Sequence, residues 1–126
     1  MEFAYSPRCK EYIARVSDFI EKHVVEGQET YESQHEAFGP EGRWKVPPVL
    51  DELKSKARAE GLWNMFHHDK RFGPGLSNAD YAPLAELMGR VHLASEVFNC
   101  AAPDTGNMEV LMKYGSPAQQ EEWLQP

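Results

Sequence analysis

Residues 47–63 read PPVLDELKSKARAEGLW, and this stretch decides the fold class. The proline pair at its start suits the first turn of a helix, where a missing amide hydrogen costs nothing. Apolar residues then recur at helical spacing, and Gly61 is typical of the residue just past a helix end. The apolar run that follows, from Leu62 to Phe66, is expected to be buried. The stretch therefore predicts an amphipathic helix whose apolar face comprises Val49, Leu50, Leu53 and Ala57.

A first helix is predicted upstream of this one. Ser6 is a good N-cap residue, and Pro7 suits the first helical position. Gly27 is a plausible stop, and the polar residues 28–43 indicate a frayed helix end followed by a loop. The same serine–proline start recurs at Ser116, ahead of a short last helix. The apolar face of the first helix comprises Tyr12, Ile13, Val16, Phe19, Ile20 and Val24.

Further helices are predicted after a loop at residues 67–76. Asp80 is expected to cap one of them and Asp104 another. The segment Met108–Met112 is apolar on most sides, which indicates a central helix. No stretch alternates with the period-two pattern of a strand. The pattern predicts one all-α, bundle-like domain of about five or six helices over residues 1–126.

The composition limits the classes of partner. Thirteen basic and twenty acidic residues give a net charge of −7, which disfavours nucleic acids and anionic membranes. No apolar run approaches the roughly 20 residues that span a bilayer, and the first residues lack the pattern of a secretory signal. Cys9 and Cys100 are expected to be free thiols in a reducing compartment. We therefore expect a soluble, cytoplasmic protein.

The residue patterns predict no self-contained active site. The turn at residues 73–75 lacks the glycine spacing of a phosphate-binding loop. Adjacent side chains at residues 67–69 point apart, and no second ligand cluster accompanies them, so no metal site is expected. The apolar surroundings of Cys100 should raise its thiol pKa and make it inert. We assign no catalytic, cofactor-binding or metal-binding residue to this chain.

Small and polar residues are concentrated at residues 98–107, which read FNCAAPDTGN. Small residues at a break between buried helices make room for a nearby group. Tight helix packing together with a cap at Asp104 would produce the same pattern, and the spacing alone favours that second interpretation.

Four stretches, in order and at matching spacing, resemble the N-terminal domain of the acyl-CoA dehydrogenase family. They are LKSKARAEGLWN at 53–64, GPGLSNADYA at 73–82, LAELMGR at 84–90 and YGSPAQQEEWLQP at 114–126. Residues 97–111 further resemble the subgroup that in animals is fused behind a phosphotransferase-like domain, together with its bacterial relatives. Pro74 departs from the family's glycine turn, and the first helix is similar only in character.

This resemblance implies the N-terminal part of an FAD-dependent enzyme that catalyses α,β-dehydrogenation of an acyl-CoA. It implies an electron-transfer acceptor as partner and a homo-oligomeric full-length protein. It also places the flavin-binding β-domain and the helical domain with the catalytic glutamate beyond Pro126, so the isolated chain is expected to be inactive. By position, the residues implied to wall the far end of the acyl pocket are Phe98, Asn99, Ala102, Pro103 and Gly106.

Two alternatives remain open from the sequence: a stand-alone helical interaction module, and one piece of a split enzyme. A fragment or a split enzyme would leave an apolar face uncovered, and the candidates for it are Trp63, Met65, Phe66 and the segment Met108–Met112. A stand-alone module would bury these residues internally or in a self-complementary dimer. For an isolated domain we expect marginal stability or self-association.

Overall fold

The described part of the chain, residues 4–125 of a computed structural model, is built from helices, and no strand occurs within it. The all-α prediction is therefore confirmed. Two π-helical turns, Ile20–Val24 and Gln120–Leu124, and a 3-10 turn, Pro40–Gly42, accompany the α-helices. The α-helices are α1 (Pro7–Phe19), α2 (Val25–Ala37), α3 (Pro48–Ala59), α4 (Asn78–Met88), α5 (Ala94–Val97), α6 (Asp104–Tyr114) and α7 (Pro117–Gln119).

One hydrophobic core lies between α1, α3, α4 and α5. Helix α1 packs on α4, while α3 packs on both α2 and α5. The apolar faces predicted for the helices at residues 7–24 and 48–59 point into this core, and only Ile13 among them is half-buried. The residues that close the core from the other elements include Leu62, Met65, Leu76, Leu84, Met88, Val97 and Phe98.

The helix ends follow the predicted chemistry at both serine–proline starts. The Ser6 hydroxyl accepts a hydrogen bond from the amide of Cys9 at the start of α1. Ser116 and Gln119 form a capping box at the start of α7, each side chain bonding the other's backbone amide. Gly61 follows α3 with a φ of +67°, the left-handed conformation that ends helices.

The predicted stop at Gly27 is wrong. The helix continues through the π turn into α2 and reaches Ala37, so the predicted fray and loop are mostly helical. Gly27 is buried, and a Cβ atom there would lie 2.7 Å from Cδ1 of Leu53. The glycine is present because α2 approaches α3 closely, which the sequence alone does not distinguish from a helix end.

The two aspartate caps are also wrong by a few positions. Ser77 caps α4, and Asp80 lies in its first turn, where the Ser77 and Ser6 hydroxyls both donate to its carboxylate. Pro103 occupies the cap position of α6, and Asp104 is the first helical residue. A carboxylate in the first turn still interacts favourably with the helix dipole.

Helix α6 is not central. None of its residues is buried, and Val110 keeps 58% of its surface exposed. By contrast Met65 and Phe66 are buried, so they do not belong to an uncovered apolar face, and Trp63 is half-buried. Of the candidates for such a face, α6 is the least covered, because Met108, Leu111 and Met112 are only half-buried and Val110 is exposed.

Candidate functional site

A groove of about 630 Å³ lies between α3, α6 and the π turn Gln120–Leu124. Its walls combine polar and apolar side chains. Lys54, Ser55 and Arg58 contribute from α3, and the guanidinium of Arg58 lies over the ring of Trp63, 4.4 Å from its centre. The side chains that also line the groove include Asn64, Asn99, Asn107, Met108, Leu111 and Trp123.

Two asparagines join the segments at the floor of this groove. Asn99 Nδ2 donates to Asn64 Oδ1 over 2.7 Å and contacts the sulfur of Met108 at 3.7 Å. Both asparagines have a positive φ, +52° for Asn64 and +53° for Asn99. Asparagine is, after glycine, among the residues that best tolerate this conformation. The pair thus connects the turn after α3 to the turn after α5.

The five residues predicted to wall an acyl pocket are spread over different surroundings. Phe98 is fully buried, and its ring packs against Phe19 with the centres 5.3 Å apart. Asn99 is half-buried in the groove. The small residues Ala102, Pro103 and Gly106 are exposed on the surface beside it. The structure therefore places Asn99 in the groove, and the role of all five residues in acyl binding stays a prediction.

Asn64 was not singled out by the sequence patterns, although it takes part in more of the site's hydrogen bonds than Asn99. The available signal was an asparagine inside the apolar run that follows α3. An asparagine at that point, three residues after the helix-ending Gly61, is typical of a left-handed turn position.

Cys100 follows the groove residue Asn99 in sequence and lies beside Tyr81. Burial raises the pKa of the Cys100 thiol, as predicted, and burial also raises the pKa of the Tyr81 hydroxyl beside it. Cys9 and Cys100 are both free thiols. A thiol with a raised pKa is a poor nucleophile at neutral pH, so Cys100 is suited to packing rather than to catalysis.

His67 is buried, with 1% of its surface exposed. Its Nδ1 atom accepts a hydrogen bond from the amide of Asp69, and its Nε2 atom meets no hydrogen-bond partner within residues 4–125. Burial lowers the pKa of His67, so the ring is held neutral. The Arg71 guanidinium, which bonds both carboxylate oxygens, lowers the pKa of Asp69 to about 2. These residues form a packed loop, and the described residues contain no cluster suited to a metal ion.

The glycine turn at residues 73–75 offers no phosphate cradle. The amide of Gly73 donates to the Asp69 carbonyl, and the amide of Gly75 donates to the His67 carbonyl. Pro74 has no amide hydrogen, and its carbonyl accepts from Arg8. Because its amides are already used internally, this turn does not fit the diphosphate of a flavin nucleotide.

No helix among residues 4–125 combines the length and the apolar character needed to cross a bilayer.

The sequence of this chain is similar to those of known proteins. A sequence model described as "Acyl-CoA dehydrogenase, N-terminal domain" matches residues 6–126. "Probable acyl-CoA dehydrogenase FadE2" of Mycobacterium tuberculosis is 44% identical over 100% of this chain and 30% of its own length. "Acyl-CoA dehydrogenase family member 11" of Gallus gallus is 46% identical over 98% of this chain and 16% of its own length.

A solved structure gives the same result in three dimensions. A candidate acyl-CoA dehydrogenase from Mycobacterium abscessus superposes with a TM-score of 0.90 and 50% identity, over 98% of this chain and 32% of that one. The chain thus spans less than a third of the length of each of these relatives. With the family's sequence pattern covering nearly all of its length and the same helices in the same places, this chain belongs to the acyl-CoA dehydrogenase family and corresponds to its N-terminal domain.

Proposed function

We propose that this chain is the N-terminal domain of an FAD-dependent acyl-CoA dehydrogenase that introduces an α,β double bond into an acyl-CoA thioester. The match to the family's N-terminal domain over residues 6–126 carries this proposal. In the proposed enzyme, as the family resemblance implies, the cofactor and the catalytic base are supplied outside residues 1–126. The domain then contributes binding surface and excludes water.

Its specific contribution in this proposal is a wall of the acyl-chain pocket. The exposed small residues Ala102, Pro103 and Gly106 lie next to the groove, where added bulk would shorten the space for a chain. Asn99 forms part of the groove floor, and Phe98 supports it from the core. One methylene group in such a pocket contributes about 1–3 kcal/mol of discrimination, so modest changes of bulk alter chain-length preference.

The partners proposed for the full-length enzyme follow from the same assignment. They are an acyl-CoA substrate, an electron-transfer acceptor that reoxidises the flavin, and further copies of the protein in a homo-oligomer. We place the enzyme in the cytoplasm, where the free thiols Cys9 and Cys100 would remain reduced.

The first test is made on the full-length product of the native gene. We expect purified protein to show flavin absorbance and to reduce an electron-accepting dye in the presence of acyl-CoA. Residues 1–126 alone should show neither property. A full-length product that binds no flavin and oxidises none of a series of acyl-CoAs would reject the enzyme and favour a helical interaction module.

The proposed wall of the acyl-chain pocket is tested by Ala102→Phe in the same full-length enzyme. We expect kcat/KM for the longest acyl chains to fall relative to that for short chains, because the ring occupies space beside the groove. Ala37→Phe is the matched control, since Ala37 is also exposed but lies at the end of α2. A chain-length profile unchanged by Ala102→Phe would remove residues 98–106 from the acyl pocket.

A further inference from the structure

We propose that Asn64 and Asn99 form a positioning pair, which holds the segment 98–108 against the core and thereby sets which acyl chains the pocket accepts. This proposal rests on the proposed function, because it explains what shapes the acyl-pocket wall that is proposed there. Neither residue is proposed to touch the reacting atoms, so their effect would pass through the backbone of the segment that they hold.

Asn64 is suited to this task because all four of its polar groups are engaged. Its amide nitrogen donates to the carbonyl of Phe98 at 3.1 Å, and its carbonyl accepts from His67 at 2.9 Å. Its side-chain Nδ2 donates to the carbonyl of Phe72 at 2.9 Å, and Oδ1 accepts from Asn99. Asn64 therefore connects the loop at residues 67–72 with the turn at residues 98–99.

Cys100 packs against the core, and beyond it the segment that leads into α6 is mostly exposed. No residue of α6 is buried, and Asn99 Nδ2 contacts the sulfur of Met108 in the second turn of that helix. The other end of α6 is held separately, because Gln120 Nε2 donates to the carbonyls of Leu111 and Met112. Loss of the asparagine pair should thus release the N-terminal end of α6 and leave its C-terminal end in place.

The positive φ of both asparagines allows their side-chain amides to be removed without a change of turn geometry. Glycine adopts a positive φ readily, so Asn64→Gly and Asn99→Gly keep the turn geometry and remove the side-chain amide. Any change in selectivity then reports the amide contacts rather than a distorted turn. Because the two amides share one hydrogen bond, the effect of the double variant should be smaller than the sum of the two single effects.

The test measures kcat/KM across a series of saturated acyl-CoAs in the full-length enzyme, for Asn64→Gly, Asn99→Gly, the double variant and Ala102→Phe. We expect each asparagine variant to change the ratio of long-chain to short-chain kcat/KM by roughly three- to tenfold, the size of one or two lost hydrogen bonds. The double variant should change the ratio by less than the two single effects combined. Unfolding curves recorded in parallel verify that every variant is folded.

The outcomes distinguish the positioning role of Asn64 and Asn99 from the role of residues 98–106 as a wall of the acyl pocket. If Ala102→Phe changes the ratio while the asparagine variants leave it unchanged, or lower kcat/KM equally for every chain length, the positioning role is rejected and the wall stands. If Ala102→Phe also leaves the ratio unchanged, the wall is rejected and the positioning role with it. Additive effects in the double variant would show that the two amides act independently, which contradicts a pair.

Discussion

The side-chain amide of Asn99 donates a hydrogen bond to Oδ1 of Asn64 over 2.7 Å, and both residues have a left-handed backbone. Thirty-five residues separate them in sequence. Each sits in the turn that follows a helix, so one contact holds two helix ends in register. The combination of a required side chain and a required backbone conformation restricts both positions to very few amino acids.

Substitutions at Asn99 should separate these two requirements. We expect Asn99→Ala to lower the free energy of unfolding by roughly 1–3 kcal/mol, because alanine loses the hydrogen bond and is strained at positive φ. Asn99→Gly should be less destabilising, since glycine relieves the backbone term. Urea unfolding of the purified chain measures both. Equal effects of the two variants would show that the backbone conformation contributes nothing.

Two helical glycines should respond to alanine with opposite signs. At Gly27 the added Cβ would lie 2.7 Å from Leu53 Cδ1 in the core, so we expect a loss of about 1 kcal/mol or more. At Gly106, in α6, the added Cβ would meet no atom within 4 Å from residues 4–125 apart from its own helix backbone and chain neighbours, and alanine should stabilise the helix by about 0.5–1 kcal/mol. Thermal unfolding of both variants checks the prediction, and destabilisation by Gly106→Ala would contradict it.

The cap of α1 should contribute more than an isolated cap. The Ser6 hydroxyl accepts from the Cys9 amide and donates to the Asp80 carboxylate of α4 at 2.8 Å. We expect Ser6→Ala to lower the free energy of unfolding by about 1–2 kcal/mol. Ser116→Ala is the matched control, because Ser116 forms its capping box in an exposed turn. An effect at Ser116 equal to that at Ser6 would mean that the contact with Asp80 is neutral.

Stability should fall in mild acid because of His67. Burial lowers the pKa of His67 below its usual 6.5, while His68, Asp69 and Glu109 are the ionisable groups that act on it. Below pH 6.5 the unfolded chain takes up a proton that the native ring does not, so the unfolded state is favoured as the pH falls.

The pH dependence is measured by urea unfolding between about pH 5 and pH 7. We expect His67→Leu to flatten the dependence of the unfolding free energy on pH in this range, whatever its effect on stability at neutral pH. The control is His92→Gln, at an exposed histidine that is not among the groups acting on His67. A slope that is the same in His67→Leu and in the original chain would assign the acid sensitivity to other groups.

The exposed apolar side chains of α6 and the last turn should cause the isolated chain to self-associate. Val110 and Trp123 keep 58% and 67% of their surface exposed. We expect Val110→Ser with Trp123→Ser to reduce association in analytical ultracentrifugation without lowering the unfolding free energy. Trp44→Ser is the control, because Trp44 is 81% exposed on a distant loop. Association that is lost only with Trp44→Ser would place the contact on that loop.

Much of the fold could be predicted because its determinants are local. Apolar spacing identified the buried faces of α1 and α3, and serine–proline pairs located the starts of α1 and α7. Helix periodicity and N-capping depend on residues within one or two turns, so they are readable from the chain itself. The motifs that carry the family resemblance are also local patterns, since they lie at helix ends and turns.

The positions that the sequence misassigned depend on distant neighbours. Gly27 has the chemistry of a helix end, but the approach of Leu53 makes it a contact between helices. Helix α6 has the composition of a central helix, but none of its residues is buried within residues 4–125. Asn64 is inconspicuous until folding brings Asn99 to it. Short-range patterns in the sequence predicted most of the helices and the family, although they missed the extent of α2. Only the tertiary structure decided which glycine is a contact, which apolar face is uncovered and which asparagines pair, because those properties belong to residues that meet only when the chain is folded.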